Sequence, residues 1–424
     1  MSPPRTASSA SLAGAGADRY KWWVLALFWS IYFLNQADRQ VIFSVLPLVK
    51  EELALDDARL GLFGSVFFWV YATLVPVAGS LSDVLSRKRI VLAALAVWSA
   101  ATFSSGLAVG FLMLVALRGL TAFGEAFYYP AANSMLSDFH GQSSRATAMA
   151  IHQTSVYVGV VVSGTLAGYI GQTLGWRPAF LFFGAAGLLV ALAANRWLRE
   201  PARGQSDADL ADAQLSLAAR IRETLANPTA VLLTVAFLGM ILVNAAYLTW
   251  TPTLLYRKFG MSLAGAGFHA TFWHHAGAAL GVLVGGRLAD RWALRTRLSR
   301  PLIQVAGLLL GAPFIFLLGW SDTPAVVFAA LALFGVFRGF YDSNLFTSLY
   351  EVIRPSCRAT ATGIMLAFAF LGGGFAPVFT GWLGERTGLG YALSLTSLCY
   401  VASGLAILAA CLFTFRKDCR RIQA

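Results

Sequence analysis

Polar residues interrupt this chain rarely and at long intervals. Between them run apolar stretches of about twenty residues, the length an α-helix needs to cross the hydrocarbon core of a bilayer. Six such stretches fall at 22–48, 60–81, 90–107, 111–136, 146–172 and 179–198. A polar segment at 199–227, with Pro201, Gly204 and many charges, ends the series. Six more follow at 230–256, 267–288, 302–320, 324–349, 359–383 and 391–415. The pattern predicts an all-α membrane protein with twelve transmembrane helices in two six-helix bundles. Its parts would be a cytoplasmic tail at 1–21, a bundle at 22–198, a cytoplasmic linker at 199–228, a bundle at 229–415 and a tail at 416–424. Residues 1–18 are small and polar, which suits a disordered tail, and they lack the apolar core of a secretory signal.

Composition agrees with this reading. Hydrophobic residues make up 58% and charged residues 12%, against about 25% charged in soluble proteins. Of the 32 Lys and Arg, 23 fall on the side that carries both termini, 6 on the other and 3 (Arg39, Arg118, Arg338) within spans. That asymmetry places both termini in the cytoplasm. It also assigns the net charge of +12 to anionic membrane lipid rather than to nucleic acid. The Ala- and Arg-rich composition suits a bacterial inner membrane. Four Cys, all in the last sixth, and five scattered His offer neither a disulfide framework nor metal-type spacing. No phosphate-binding GxxxxGK[ST] loop indicates ATP as a driving force. HExxH, GxSxG and clustered Cys/His are likewise missing, and the tails are short, which argues against a membrane-embedded enzyme and a sensor.

The halves repeat at an offset of 213 residues: Arg145-Ala-Thr-Ala148 returns as Arg358-Ala-Thr-Ala361. Gly168, Gly171 and Gly175 then fall on Gly381, Gly384 and Gly388, Asp138 on Glu351, and Glu125 on Arg338. Parallel six-helix repeats are an architecture of secondary transporters, which bind substrate between the halves near mid-membrane.

Charges inside spans are costly and are commonly retained for transport, proton relay or ligand pairing. Arg118 and Glu125 are seven residues apart, close to two helical turns, and so share a face. Asp38 supplies a second carboxylate near mid-span, with Arg39 turned about 100° from it. Desolvation disfavours the charged form of a carboxylate, so Asp38 and Glu125 are the expected proton carriers. Arg118 would pair with a carboxylate when that group is ionised and with an anionic substrate when it is protonated; Arg39 is a further anion contact. A static ion-pair network is the structural alternative. Arg338 and Asp342, four apart, either pair with each other or clamp substrate from the second half. Tyr32, Asn35, Tyr128, Tyr129, Gln153, Asn244, Tyr247, Trp250, Trp273, His274 and Asn344 are candidate cavity-lining residues. Gly372-Gly-Gly374 before Pro377 reads as a bending point.

Gly79-Ser-Leu-Ser-Asp83-Val-Leu-Ser-Arg87-Lys88 lies between the second and third spans, and Gly286-Arg-Leu-Ala-Asp290-Arg291 lies at the equivalent point of the second half. Here the chain resembles the major facilitator superfamily, whose signature between those helices is G-x-L-a-D-r-x-G-r-[rk]. Val84 and Ser86 depart from it. The resemblance implies the major facilitator fold, a monomer, and a cytoplasmic gate, for which Gly79, Asp83, Arg87, Lys88, Asp290, Arg145 and Arg358 are the candidates. Asn35-x-x-Asp38-Arg39, Arg118-x5-Gly124-Glu125 and Gly175-Trp176-Arg177 look equally like the anion:cation symporters of sugar acids and the spinster-like lipid transporters. The expected function is proton-coupled transport of a small organic anion such as a hexuronate or aldonate, by alternating access and without a cofactor. The alternative within the class is an amphiphilic lysophospholipid or sphingolipid substrate.

Overall fold

The computed structural model describes residues 8–140, 144–200 and 216–423, with side chains throughout except at 8–18, 79, 80, 82–84, 146 and 423. Among the described residues all regular structure is helical. The first half runs α1 (Ser8–Leu53), α2 (Asp57–Val84), α3 (Arg87–Ser105), α4 (Phe111–Phe139), α5 (Arg145–Leu174) and α6 (Trp176–Trp197). A short helix, α7 (Leu217–Leu225), lies in the linker. The second half runs α8 (Pro228–Phe259), α9 (Leu263–Ala293), α10 (Ser299–Trp320), α11 (Pro324–Asp342), α12 (Leu345–Tyr350), α13 (Arg358–Gly373), α14 (Phe375–Thr387), α15 (Leu389–Leu395) and α16 (Ser397–Phe413), then α17 (Phe415–Gln423).

Nine segments among the described residues are long and apolar enough to cross a membrane, with α11 and α12, α13 and α14, and α15 and α16 each counting as one. The remaining long helices, α1, α3 and α9, are more polar. α1 carries the run Asn35 to Gln40, and α9 carries His269, His274 and His275. Together they fit the two-bundle arrangement that the hydropathy pattern predicts.

Two boundaries move. The helix expected from residue 22 begins at Ser8; no proline interrupts the chain between Pro4 and Trp22, and Gly14 and Gly16 are carried within the helix despite their low propensity. Residues 1–7 and 201–215 of the expected tail and linker lie outside the described residues. The expected C-terminal tail is α17, and Asp418 explains its docking. Its carboxylate accepts from the Thr229 backbone N–H (3.2 Å) and hydroxyl (2.6 Å) at the start of α8.

The repeat is visible in the backbone. Gly175 and Gly388 both have φ of 91° where α5 and α14 end, a conformation that only glycine adopts without strain. Gly168 of α5 packs on the first turn of α9. A Cβ there would stand 2.6 Å from the Leu263 carbonyl carbon. Its repeat partner, Gly381 of α14, packs on the first turn of α2, where a Cβ would stand 2.8 Å from the Asp57 carbonyl carbon. These close approaches join the halves at the end far from the termini. The triple glycine is a break, as expected: α13 ends at Gly373 and α14 starts at Phe375.

Candidate functional site

Two buried polar clusters occupy the bundles, one in each half. In the first, Arg39 of α1 and Glu125 of α4 form an ion pair from Nε to Oε2. The Glu125 side chain is fully buried and that of Arg39 is 25% exposed. The Arg39 guanidinium also lies over the rings of Phe67 (4.7 Å) and Tyr71 (4.9 Å) of α2. Asp38 is buried, and neither carboxylate oxygen makes a hydrogen bond of ordinary geometry. Thr102 and Trp98 of α3 are its nearest donors, and Glu125 and Arg118 are its charged neighbours.

Arg118 corrects a sequence expectation. Among the described residues it pairs with no carboxylate. Its Nε, Nη1 and Nη2 donate to the carbonyls of Phe63 (3.2 Å), Asp38 (3.2 Å) and Arg39 (3.1 Å), and its plane lies near the rings of Phe43 and Phe67. A buried guanidinium has five donors to satisfy in a rigid fork, and three carbonyls on α1 and α2 meet that demand. Arg118 therefore fixes the backbone that carries Asp38 and Arg39, while Arg39 takes the carboxylate partner assigned to Arg118.

Asn35 is buried beside Glu125 and accepts from Gln36 Nε2 at 2.9 Å. Tyr32 stacks on His152 with ring centroids 4.7 Å apart and touches Tyr129, which is exposed. Gln153 is exposed on α5. Tyr128 is a correction: it is completely buried, and its hydroxyl donates to the Phe28 carbonyl at 3.0 Å, so it is core rather than cavity lining.

In the second half Arg338 is the hub. It bonds Asp342 one turn on at 3.2 Å, donates to Asn244 of α8, and meets His274 Nε2 of α9 at 3.3 Å. Tyr247 packs on His274 with centroids 4.5 Å apart and donates to the Ala270 carbonyl. Tyr157 of α5 crosses from the first half: its ring lies 5.9 Å from that of His275, and it is an electrostatic neighbour of Asp342 and Arg338. Trp273 instead donates to His269 on the preceding turn. Trp250 and Asn344 are further corrections. The Trp250 indole is fully buried and donates to the Pro377 carbonyl (2.8 Å), bracing α8 against α14. Asn344 is buried and donates to the Phe340 carbonyl (3.2 Å), where α11 breaks before α12.

At the far end, Asp57 of α2 closes the halves together. Arg257 of α8 grips its carboxylate through Nη1 (2.7 Å) and Nη2 (2.9 Å), Lys50 reaches it at 2.6 Å, and its backbone N–H donates to Glu385 of α14 at 2.5 Å. Asp57 is not among the residues that the sequence marks as candidates. Its role needs Arg257 from 200 residues away.

At the termini end, Arg87 bonds Asp138 of α4 at 2.5 Å, and Arg300 of α10 bonds Glu351, the repeat equivalents. Asp290 lies 3.4 Å from Arg300. Glu200 accepts from the Ser86 hydroxyl (2.5 Å) and the backbone N–H groups of Arg87 (2.9 Å) and Lys88 (2.9 Å). Partial burial raises its pKa, but these bonds and the Arg87 charge outweigh burial and hold it below the ordinary value. Lys88 Nζ reaches the Asn195 carbonyl at 3.4 Å. Arg145 donates to the His140 carbonyl and Arg358 to the Tyr350 carbonyl. Gly79 and Asp83 fall where side chains lie outside the described residues.

Two helical bundles related by an internal repeat, each with a buried charged cluster, define a membrane transporter rather than an enzyme. The chain belongs to the Major Facilitator Superfamily, whose model matches residues 28–377 and 275–421. It is 26% identical over 411 residues to the probable galactarate/D-glucarate transporter GudP of Bacillus subtilis, covering 89% of each chain. It is 27% identical to protein spinster homolog 1 of Xenopus tropicalis, covering 94% of this chain and 82% of the relative. Among solved structures it is similar to a bacterial homolog of the human lysosomal transporter spinster in an inward-facing, occupied conformation. The TM-score is 0.81 and the identity 25%, over 94% of this chain and 98% of the other.

Proposed function

We propose that this transporter couples protons to the movement of a small organic anion, of the hexuronate or aldonate class, by alternating access. One observation carries the proposal: the partly exposed Arg39 is held by the buried carboxylate of Glu125, beside the unpaired carboxylate of Asp38. A proton on Glu125 would release Arg39 to a substrate carboxylate. A substrate that binds Arg39 only when Glu125 is protonated shifts the two populations together, and that is coupling. Arg118 positions Asp38 and Arg39; Arg338 with Asn244, Asp342 and Tyr157 offers a second polar contact from the other cluster. The proton gradient supplies the drive, with no cofactor.

The closed far end, held by Asp57 and Arg257, corresponds to an inward-facing state in a bacterial inner membrane with both termini cytoplasmic. The protein acts as a monomer in lipid. A second reading, a spinster-like carrier of lysophospholipid or sphingolipid, draws support from an apolar cavity of about 650 Å³ lined by Leu62 and Trp69 of α2, Phe375 and Phe379 of α14, and Leu395. That cavity would suit an acyl chain.

The test uses purified protein in liposomes that enclose a pH dye. Sugar acids and lysolipids are added in turn under an inward proton gradient. The proposal expects proton entry with a sugar acid. A response to lysolipids alone would transfer the protein to the second reading, and no response to either would refute proton coupling.

A further inference from the structure

Arg338 is the hub of the second-half cluster, but its charge is answered inside that cluster. Its Nε bonds the Asp342 carboxylate one turn on, and its Nη1 donates to Asn244 and to His274 Nε2. A guanidinium only donates, so His274 Nε2 accepts, and the buried His274 is committed to Arg338. Its neighbour His275 is turned about 100° away along α9. There it meets Tyr157 of α5, a residue of the first half, with ring centroids 5.9 Å apart. Gln153, one turn before Tyr157 and on the same face, is exposed.

His275 is held in one tautomer. Its Nδ1 lies 2.7 Å from the Thr271 carbonyl, one turn back. A carbonyl only accepts, so Nδ1 carries the proton. Nε2 of the neutral ring is then an acceptor, and it has no partner among the described residues. Asp342 keeps a second carboxylate oxygen beside the one that Arg338 holds, and its side chain is 31% exposed. The Tyr157 hydroxyl, an electrostatic neighbour of Asp342 and Arg338, also has no partner among the described residues. These atoms discriminate between ligand groups. An ionised carboxylate only accepts, and Asp342 and His275 meet it with further acceptors. A hydroxyl both donates and accepts, so it can give its proton to His275 Nε2 or Asp342 and receive one from Tyr157.

We infer that the second-half cluster reads the hydroxyl groups of the substrate, with His275 Nε2 as the specificity-determining acceptor. In the sugar-acid reading, on which this rests, the carboxylate goes to Arg39 of the first half and the hydroxylated end goes to His275, Asp342 and Tyr157. A ligand without the matching hydroxyl leaves these acceptors unpaired, and a site built this way rejects it. An acyl chain has no proton to give them.

Equilibrium binding to the full-length purified protein tests this. The probes are gluconate, galactonate and glucuronate, the monodeoxy forms of whichever binds, and hexanoate, an acid of the same chain length without hydroxyls. The unmodified protein is expected to bind a sugar acid roughly tenfold or more above hexanoate. One monodeoxy form is expected to bind roughly five- to tenfold more weakly than its parent. His275→Phe keeps a ring against Tyr157 and removes the acceptor, so it is expected to bind the parent and that monodeoxy form alike. His275→Gln, whose amide oxygen reaches the place of Nε2, is expected to restore the difference. Each variant is shown to be folded by its elution profile. If His275→Phe still rejects the same monodeoxy form, or His275→Gln fails to restore the difference, the role of His275 is overturned while sugar-acid binding stands. Hexanoate bound by the unmodified protein as tightly as the sugar acids overturns hydroxyl recognition and leaves anion binding intact. No binding of any sugar acid overturns the inference together with the reading beneath it.

Discussion

Arg39 and Arg118 are both arginines near mid-span on the same side of one bundle, yet their surroundings give them different work. Arg118 spends its donors on three carbonyls, and each charged hydrogen bond of this kind contributes about 1.5–3 kcal/mol when its partner would otherwise be stranded. Arg118→Ala is therefore expected to lower thermal stability by several degrees and to reduce transport through misplacement of α1. A melting curve unchanged from the unmodified protein would contradict that. Arg39 is the partly exposed member of its ion pair, so Arg39→Gln is expected to weaken substrate binding roughly ten- to a hundredfold, with a loss of stability as well because the buried Glu125 carboxylate loses its partner. Equilibrium binding of the substrate found in the liposome assay measures it, and intact affinity would remove Arg39 from the site. The sequence marks all four charged residues of this cluster, because a charge inside an apolar run stands out in one dimension. It cannot show which arginine meets Glu125, since that depends on how α1 rotates against α4. The same limit explains Tyr128 and Trp250: an aromatic near a polar cluster reads alike whether it faces a cavity or the core.

The helix ends carry charged contacts. Asp57 at the start of α2 is gripped from the other half by a bidentate arginine. Asp57→Asn removes the charge but keeps the shape, at a cost of about 1.5 kcal/mol to the closed far end, or roughly a tenfold shift towards opening. Accessibility of a single cysteine introduced near the far end reads this shift, and unchanged labelling would reduce Asp57 to a helix cap. Glu200 gives a pH signature at the opposite end. Its folded pKa lies below its unfolded value, so its contribution is present above the ordinary Glu value near 4.3 and is lost as pH falls through the folded value. It is partly exposed, and Glu200→Ala is expected to cost about 1 kcal/mol at pH 7. The stability gap between the two proteins should narrow towards pH 4 in thermal melts; a gap that widens on acidification would reverse the sign. The repeat at offset 213 was legible in the glycines because close backbone approach and positive φ tolerate little else at those positions. The early start of α1 and the docking of α17 were not legible, since small polar and charged residues form helices or loops according to what they meet.

At the scale of the whole molecule, the two-bundle fold follows from hydropathy and the loop motif, and membership of the superfamily agrees with it. The substrate is less visible in either sequence or structure, because a sugar-acid site and a lipid site can share the same charged cluster and differ in the apolar surface around it. What the architecture links is the cluster of α1 and α4 with closure at the far end. Under the proposed mechanism, the closed far end, the paired Arg39 and the unpaired Asp38 would belong to a carrier ready to take up a proton and a substrate. The claim rests on Glu125 as the group whose protonation frees Arg39. Its most direct test compares two assays on Glu125→Gln in liposomes: substrate accumulation driven by a proton gradient, and substrate exchange without one. The account predicts that accumulation is lost while exchange persists, because a permanently neutral side chain leaves Arg39 free but carries no proton. Accumulation equal to that of the unmodified protein would contradict it.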